Sequence, residues 1–273
     1  MTPTPTRPHP HLRVERDGAL LTVTLDHAER RNAQTPSLWT ALGDLAASLD
    51  PAVRVVVLRA EGPSFSAGLD RQMLSPAPVE GEPSMLEVAA RSTTETEDLI
   101  EGFQHGFTRW ADVPAVVVAA VQGHAVGAGF QLALAADLRV VADDVQLAMR
   151  ETSLGLVPDL AGLSPLVAAV GPARALEICA TGRAVGAIEA VNTGLANVAV
   201  PRAELDATVA DLVAALLSTP EAALRALKPL VRSAATENRT TQVRFEREAQ
   251  ARLLHDLAQG LGNAAGGPGR STA

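Results

Sequence analysis

The stretch that decides the fold is VQGHAVGAGFQLALAAD, residues 121–137. It begins at the end of an apolar strand, passes through a turn that contains Gly123, Gly127 and Gly129, and continues into a helix of small residues. Glycines let the backbone turn sharply and approach a neighbouring group closely, because they carry no Cβ. A helix that begins in such a turn directs unpaired amide groups outward. The stretch therefore predicts a strand, a tight turn and a helix whose N-terminus faces a ligand.

A second glycine-containing loop, EGPSFSAGLD (residues 61–70), follows the apolar run 53–59, just as the opening turn follows the apolar run 115–121. Both runs are predominantly apolar, which is typical of strands buried on both faces. Two such loops can aim two backbone N–H groups at one point, and this is how an oxyanion hole is built.

Competing glycine motifs are absent from the sequence. No G-x-x-x-x-G-K-[ST] motif occurs, and the third glycine of the dinucleotide fingerprint is missing after Gly127-Ala128-Gly129. Ser66 does not fit a hydrolase nucleophile elbow, because Ser64 stands where that motif needs glycine.

The remaining pattern predicts alternating strands and helices, with helices dominating towards the C-terminus. Residues 12–16 and 20–25 are predicted to form a hairpin around Asp17-Gly18, and Thr35-Pro36 predicts the start of a helix. A stripe of apolar residues favours one helix over residues 85–111. Further strands are predicted at 138–142 and 145–148, and further helices at 162–170, 173–180, 187–192, 203–217, 221–234 and 242–259.

Composition narrows the class of protein. The chain has 273 residues, is 47% hydrophobic and has a formal net charge of -8, which argues against a nucleic-acid-binding or anionic-membrane surface. It lacks an uninterrupted apolar run of about 18 residues, so no membrane span is expected. Cys179 is the single cysteine and has no disulfide partner within the chain. We predict a cytoplasmic protein with flexible tails at 1–11 and 261–273, the first of which has no apolar signal-peptide core.

Taken together, SFSAGLD, VQGHAVGAGFQLALAAD and RETSLGLVPDLAG resemble the enoyl-CoA hydratase/isomerase family, or crotonase superfamily. RRNAQTPSLWTAL and TGRAVGAIEAVNTGLANVAV support the resemblance, which covers residues 12–254. It implies an α/β fold in which strand-strand-helix repeats form a spiral over 12–200, and C-terminal helices at 201–260 that assemble a homotrimer or a dimer of trimers. It also implies an acyl-CoA thioester as substrate, no metal, and no cofactor beyond the coenzyme A moiety.

The resemblance assigns the two amides of the oxyanion hole to Leu69 and Ala128. The second position is usually glycine in the family, but alanine retains the N–H. Residues expected to line the substrate beside them are Ala67, Gly68, Asp70, Gly127 and Gln131.

The same resemblance bears on the reaction. Family hydratases use two glutamates; Gln131 stands at the first position and Glu151 matches the second. An amide can orient water but cannot exchange protons at neutral pH as a carboxylate does. Asp159, in GLVPD, stands where double-bond isomerases of the family carry an acid, and the segment resembles the phenylacetate-pathway and dienoyl-CoA isomerases. We therefore expect an isomerase in which Asp159 removes a proton, with Glu151 as partner or second acid.

Several alternatives remain open. Asp159 could cap the following helix, Glu151 could be a solvated turn residue, and Gln131 could be hydrogen-bonded filler. The protein could instead be a hydratase that works with Glu151 alone, or a non-catalytic acyl-CoA binder. Because the chain is acidic, the phosphates of CoA need local cations, for which Arg30, Arg31 and Lys228 are the candidates. Residues 73–86 and 103–110 are expected to shape the acyl pocket.

Overall fold

The computed structural model describes residues 5–75 and 79–265, with side chains up to residue 259. The chain divides into two compact units, Met1–Ala215 and Leu216–Ala273. The strands, in chain order, are β1 (Thr6–His9), β2 (Leu12–Asp17), β3 (Leu20–Leu25), β4 (Val55–Ala60), β5 (Val116–Val121), β6 (His124–Val126), β7 (Leu138–Ala142), β8 (Gln146–Ala148), β9 (Val185–Gly186) and β10 (Val198–Val200). The α-helices are α1 (Pro36–Ala47), α2 (Met85–Ala89), α3 (Thr93–Asp112), α4 (Ala128–Ala135), α5 (Leu163–Val170), α6 (Pro172–Thr181), α7 (Ala187–Asn192), α8 (Leu205–Ser218), α9 (Glu221–Ala234) and α10 (Arg239–Ala265).

The main sheet has seven strands in the order β1-β2-β3-β4-β5-β7-β10. The first two pairings, β1 with β2 and β2 with β3, are antiparallel, and the remaining pairings are parallel. Every residue of β5 is buried, as is every residue of β4 except Arg59, which confirms the strands predicted from the apolar runs. Parallel strands bring their carboxyl ends to one edge of the sheet, so the loops that follow β4 and β5 are neighbours.

A second sheet of three strands, β6-β8-β9, carries the decisive turn. Strand β6 lies between Gly123 and Gly127, and it pairs in parallel with β8. The short strand is therefore fixed on one side by β8, while α4 begins directly after Gly127. The order strand, turn and helix predicted for residues 121–137 is confirmed, with an extra short strand inside the turn.

The sheet is covered by helices that pack through aromatic side chains. Trp39 of α1 lies against Phe103 and Phe107 of α3, with ring centroids 5.2 Å and 6.0 Å apart in edge-on geometry. Gly106 permits this approach, because a Cβ there would lie 2.5 Å from the carbonyl oxygen of Trp39. The apolar stripe of residues 99–110 thus forms core, together with the buried faces of β2 to β5.

The helix predicted over 85–111 is two helices. Ser84 with Glu87, and Ser92 with Glu95, each form a capping box, in which the serine accepts from one backbone N–H and the glutamate from another. Because the second capping box starts a new helix at Ser92, α2 ends before it and α3 begins after it.

The predictions for the two tails differ from the structure. Residues 6–9 form β1, an edge strand where proline is tolerated, held by the ion pair of Arg7 with Asp26 at 2.5 Å. At the other end, α10 extends to Ala265, while residues 266–273 and 1–4 lie outside the described residues. Across the described chain no single helix is long and apolar enough to cross a membrane; only the bent pair 202–218 and 221–234 passes, by length and composition.

Candidate active site

The loop after β4 presents the amide of Leu69. Gln34 pairs with this loop in a parallel bridge: the Gln34 N–H donates to the Gly68 carbonyl at 2.8 Å, and the Asp70 N–H donates to the Gln34 carbonyl at 2.8 Å. In such a bridge the N–H of Leu69, which lies between Gly68 and Asp70, points away from Gln34. Among the described residues no acceptor is bonded to the Leu69 N–H, so this donor is available to a ligand.

Ser66 holds that loop in place. Its hydroxyl donates to the Asn32 carbonyl at 2.7 Å and accepts from the Gly68 N–H at 3.1 Å and from the side-chain amide of Gln34 at 3.0 Å. Ser66 is fully buried. The hydroxyl is thus a structural hydrogen-bonding centre, in agreement with the absence of a nucleophile elbow.

The turn after β6 presents the amide of Ala128. Gly127 has φ +52° and ψ -118°, a conformation for which glycine is suited, and its own N–H donates to the Ala148 carbonyl at 2.8 Å. Ala128 is the first residue of α4, and the first N–H groups of a helix have no partner within it. No acceptor for the Ala128 N–H is found among the described residues. Ala128 has a negative φ, so alanine needs no strained backbone here.

The two loops touch each other at Gly68. Its φ is +83°, and a Cβ built there would overlap the carbonyl oxygen of Val126 and lie 3.5 Å from the Ala128 nitrogen. The absence of a side chain at Gly68 therefore brings the Leu69 and Ala128 amides into adjoining positions.

Glu151 lies directly beside the glycine turn. A Cβ on Gly127 would lie 3.2 Å from its Oε1. Oε1 accepts from the side-chain amide of Gln131 at 2.8 Å, while Oε2 is buried and has no hydrogen-bond partner among the described residues. Burial raises the pKa of Glu151, a rise that the Gln131 hydrogen bond opposes and the nearby charge of Asp159 increases.

Asp159 lies on the turn before α5 and is half-buried. The side-chain amide of Gln104, from α3, donates to its carbonyl oxygen at 2.7 Å and fixes the backbone there. Burial raises the pKa of the Asp159 carboxyl, against the effect of its own backbone N–H. Two carboxyl groups with raised pKa values thus lie near enough to interact, and one of them, Glu151, lies against the turn that carries the Ala128 amide. Such grouped, perturbed acids are a recurrent property of acid/base sites.

The predicted CoA-binding arginines differ in their surroundings. Arg30 donates through one Nη to both carboxylate oxygens of Asp70, at 2.9 Å and 3.0 Å, and Asp70 also accepts from the Gln72 N–H at 2.9 Å. The side chain of Arg31 is exposed and has no ion pair among the described residues, and its carbonyl accepts from the Ala67 N–H at 2.8 Å. Lys228 is buried on α9 of the second unit.

Residues 15–263 match the family described as enoyl-CoA hydratase/isomerase. The chain belongs to the enoyl-CoA hydratase/isomerase family.

Two sets of relatives within this family have high similarity. The carnitinyl-CoA dehydratase of Escherichia coli K12 is 34% identical over 225 residues, which are 81% of this chain and 80% of that protein. A candidate enoyl-CoA hydratase of Thermobifida fusca YX, crystallised with CoA, is 45% identical with a TM-score of 0.86, covering 91% of this chain and 95% of its own. Its complex with acetoacetyl-CoA has a TM-score of 0.85 at 45% identity, covering 90% and 95%. The α/β crotonase fold with C-terminal helices is therefore established.

Family membership supports acyl-CoA chemistry, and the named relatives are hydratases or dehydratases rather than isomerases. The structure brings together five of the predicted residues, Leu69, Ala128, Glu151, Asp159 and Gln131. It also shows contacts that the sequence alone did not indicate, because the partners lie far apart in the chain: Gln131 with Glu151, and Arg30 with Asp70. Among the described residues no three His, Cys, Asp or Glu side chains are grouped to hold a metal ion.

Proposed function

We propose that this chain moves a double bond along the acyl chain of an enoyl-CoA thioester by proton transfer. One observation carries the proposal: Glu151 lies against the turn that carries the Ala128 N–H, and burial raises its pKa and that of Asp159, which interacts with it. A raised pKa suits a group that accepts a proton and then returns it. The proposal places the thioester oxygen on the amides of Leu69 and Ala128, where negative charge that develops on it is stabilised.

The reaction needs no external oxidant or reductant. A carboxylate removes a proton from the acyl chain, and the electron pair of that C–H bond moves into the enolate or dienolate, whose negative charge rests on the thioester oxygen. The resulting carboxylic acid then donates the proton to a different carbon of the conjugated system. Substrate and product have the same atoms.

Glu151 is the group best placed to begin this transfer. Its Oε1 is anchored by Gln131, and its buried Oε2 has no partner among the described residues. Because Oε2 makes no hydrogen bond to a described protein group, it is free to accept a proton from the acyl chain. We assign Asp159 as the second acid/base, close enough to influence the pKa of Glu151. The sequence favoured the reverse order, Asp159 as main base.

Hydration or dehydration is the second candidate. The relatives named carnitinyl-CoA dehydratase and enoyl-CoA hydratase favour it, and the unpaired Glu151 Oε2 could bind a water molecule instead of facing a C–H bond. In this case Glu151 would activate the water, and Asp159 would take the part of the first family glutamate, which Gln131 replaces here. The predicted homotrimer or dimer of trimers is compatible with both reactions and stays a prediction.

Incubation of the purified chain with trans-2-enoyl-CoA and with 3-enoyl-CoA in D₂O tests the proposal. An isomerase interconverts the two substrates without a change in oxygen content, and deuterium enters the product to the extent that the carboxyl proton exchanges with solvent. A 3-hydroxyacyl-CoA product, labelled in H₂¹⁸O, would replace the isomerase proposal by the hydratase one, and binding without turnover would leave an acyl-CoA binder. We expect Glu151→Gln and Asp159→Asn each to lower turnover by at least about 100-fold, because general acid/base groups contribute on this scale. Asp98→Asn, an exposed acid on α3, is the control.

A further inference from the structure

The side chain of Gln131 is enclosed by the protein, with 1% of its surface exposed. Its Nε2 donates to Glu151 Oε1 at 2.8 Å, and its Oε1 accepts from the backbone N–H groups of Leu160 at 2.9 Å and Gly162 at 3.2 Å. One amide thus joins two segments: the one that begins at Glu151 and the turn that follows Asp159. Both ends of the amide are engaged by protein atoms.

The turn that receives this amide is shaped around it. Ala161, between the two donating N–H groups, has φ +63°, which is uncommon for a residue other than glycine. This conformation lets the N–H groups of Leu160 and Gly162 converge on one oxygen, as in backbone nests. Gly162 has no side chain where Gln131 packs, since a Cβ there would lie 2.6 Å from the Gln131 Cγ. Backbone strain of this kind persists only where the surrounding structure fixes it.

We propose that Gln131 is a positioning residue that holds Glu151 by its Oε1, so that Oε2 alone faces the reacting atoms, and fixes the Asp159 turn in register with it. This role rests on the proposed function, in which Glu151 is an acid/base group. It differs from the direct contact with substrate expected from the sequence, because the amide is occupied by Glu151, Leu160 and Gly162.

Glutamine suits this position better than glutamate for a simple electrostatic reason. A carboxylate at 131 could still accept from Leu160 and Gly162, but it could not donate to Glu151. Two carboxylate oxygens at that separation would share a proton, and the pKa of one group would rise. Glutamine supplies a donor to Glu151 without a charge, which favours the ionised form of Glu151 within a buried site.

Other titratable groups facing Glu151 are Asp159, on the turn before α5, and Cys179 of α6. The Glu151 charge raises the pKa of the Cys179 thiol, in addition to the larger effect of burial. Cys179 lies on α6 and makes no hydrogen bond with the Gln131 amide, whereas the turn that follows Asp159 is held by that amide. Gln131→Glu keeps an acceptor for both N–H groups of that turn, so a change in Glu151 titration in this variant is attributed to position 131 and not to a displaced Asp159.

The test is a ¹³C NMR titration of the full chain labelled at glutamate Cδ, with the Glu151 signal assigned by its loss in Glu151→Gln. We expect the pKa of Glu151 to rise in Gln131→Met, which removes the donor, and to rise further in Gln131→Glu, which adds a charge. Gln104→Met is the matched control, since Gln104 donates to the Asp159 carbonyl and makes no hydrogen bond to Glu151. If Gln131→Met does not fold, Gln131→Glu retains an acceptor for Leu160 and Gly162 and gives the same comparison.

The kinetic consequence is a fall in kcat of about tenfold or more in Gln131→Met at neutral pH, with KM changed less than about threefold, because misplacement of an acid/base group affects the chemical step. The acid limb of the pH-rate profile should move to higher pH in Gln131→Glu. An unchanged Glu151 titration in both folded variants would overturn the positioning role. Full turnover in Glu151→Gln would instead overturn the proposed function, and the NMR result would still decide whether Gln131 controls the Glu151 carboxyl.

Discussion

The carbonyl oxygen of Val126 lies 2.4 Å from the place where a Cβ on Gly68 would stand. This contact joins the loop that carries Leu69 to the turn that carries Ala128. The spacing of the two amides therefore depends on Gly68, although Gly68 itself is not expected to bond the thioester oxygen. The two amides are 59 positions apart in the sequence, and only the fold brings them together.

Replacement of Gly68 by alanine should therefore separate the two amides. We expect Gly68→Ala to lower kcat/KM by about 100-fold or more, as expected when an oxyanion hole loses a donor. Gly81→Ala is a matched control: Gly81 has φ +82°, nearly the +83° of Gly68, but nothing lies within 4 Å of its Cβ position. Both variants should lose about 1–2 kcal/mol of stability from the left-handed backbone. Equal activity in the two variants would contradict the proposed hole.

The arginine pair should separate into two kinetic effects. Arg30 is bound to Asp70, whose side chain is 8% exposed and accepts a backbone N–H of the following turn. We expect Arg30→Gln to lower kcat and thermal stability, because an almost buried carboxylate loses its charged partner next to the Leu69 loop.

Arg31 should instead contribute to CoA binding. Its exposed guanidinium has no ion pair among the described residues, so it is available to a phosphate. Arg31→Gln should raise KM for acyl-CoA by about threefold to tenfold and weaken its salt dependence, while Arg31→Lys keeps the charge and most of the affinity. Steady-state kinetics at low and high ionic strength measure both quantities. Unchanged KM and salt dependence in Arg31→Gln would exclude this arginine from the phosphate site.

The two candidate acids should cost stability at neutral pH. Burial raises the pKa of both Glu151 and Asp159 in the folded state, so between the unfolded and folded pKa values the folded chain binds more protons. Stability then falls as pH rises through that window, which begins near 4 for unfolded Asp and Glu. We expect Glu151→Gln and Asp159→Asn to unfold at a temperature equal to or above that of the wild type at pH 8. Thermal scans at pH 8 and pH 5 measure this, and a Tm lower in both variants at pH 8 would show that the charges stabilise the fold.

Much of the fold could be predicted because its signals are local. Predominantly apolar runs predicted β4 and β5, and Asp17-Gly18 predicted the hairpin of β2 and β3. The break between α2 and α3 also had a local signal, the sequence Ser92-x-x-Glu95, which the apolar stripe outweighed. Strand β1 had none, because alternating proline is typical of tails, although its partner β2 follows directly in the chain.

The sequence indicated candidate site residues, but it did not indicate the contacts that the structure shows among them. The glycine loops and the three motifs indicated Leu69, Ala128, Glu151 and Asp159. The use of Gln131 could not be inferred, because its partners Glu151, Leu160 and Gly162 are 20 to 31 residues away and the converging N–H groups depend on the left-handed Ala161. Side-chain contacts between separate segments are decided by tertiary packing, and a single sequence contains no periodic signal for them.

A cluster of histidines should make the N-terminal edge of the sheet sensitive to pH. The His11 ring stacks on the His27 ring with centroids 3.7 Å apart. The backbone N–H of His11 donates to His9 Nδ1 at 3.1 Å. Burial and then the neighbouring histidines lower the pKa of His9 and of His11, against smaller opposing effects of nearby carboxylates that include Glu82 and Glu29. Protonation of His9 would also place a second donor opposite the His11 N–H.

A lowered histidine pKa in the folded state means that the unfolded chain binds more protons as pH falls below about 6.5, so this contribution to stability is present at high pH and lost on acidification. We expect the His9→Gln, His11→Gln double variant to lose fewer degrees of Tm between pH 8 and pH 5.5 than the wild type. His255→Gln, an exposed residue of α10, is the control. Glu151 and Asp159 change stability with pH in the opposite direction, and they titrate equally in all three proteins. The effect of the histidines is therefore the difference in Tm change between the double variant and the wild type. If the Tm of the double variant depends on pH as that of the wild type does, the role of the histidine cluster is contradicted. Amide hydrogen exchange that is confined to β1 and β2 at pH 5.5 would show that protonation releases the edge strand first.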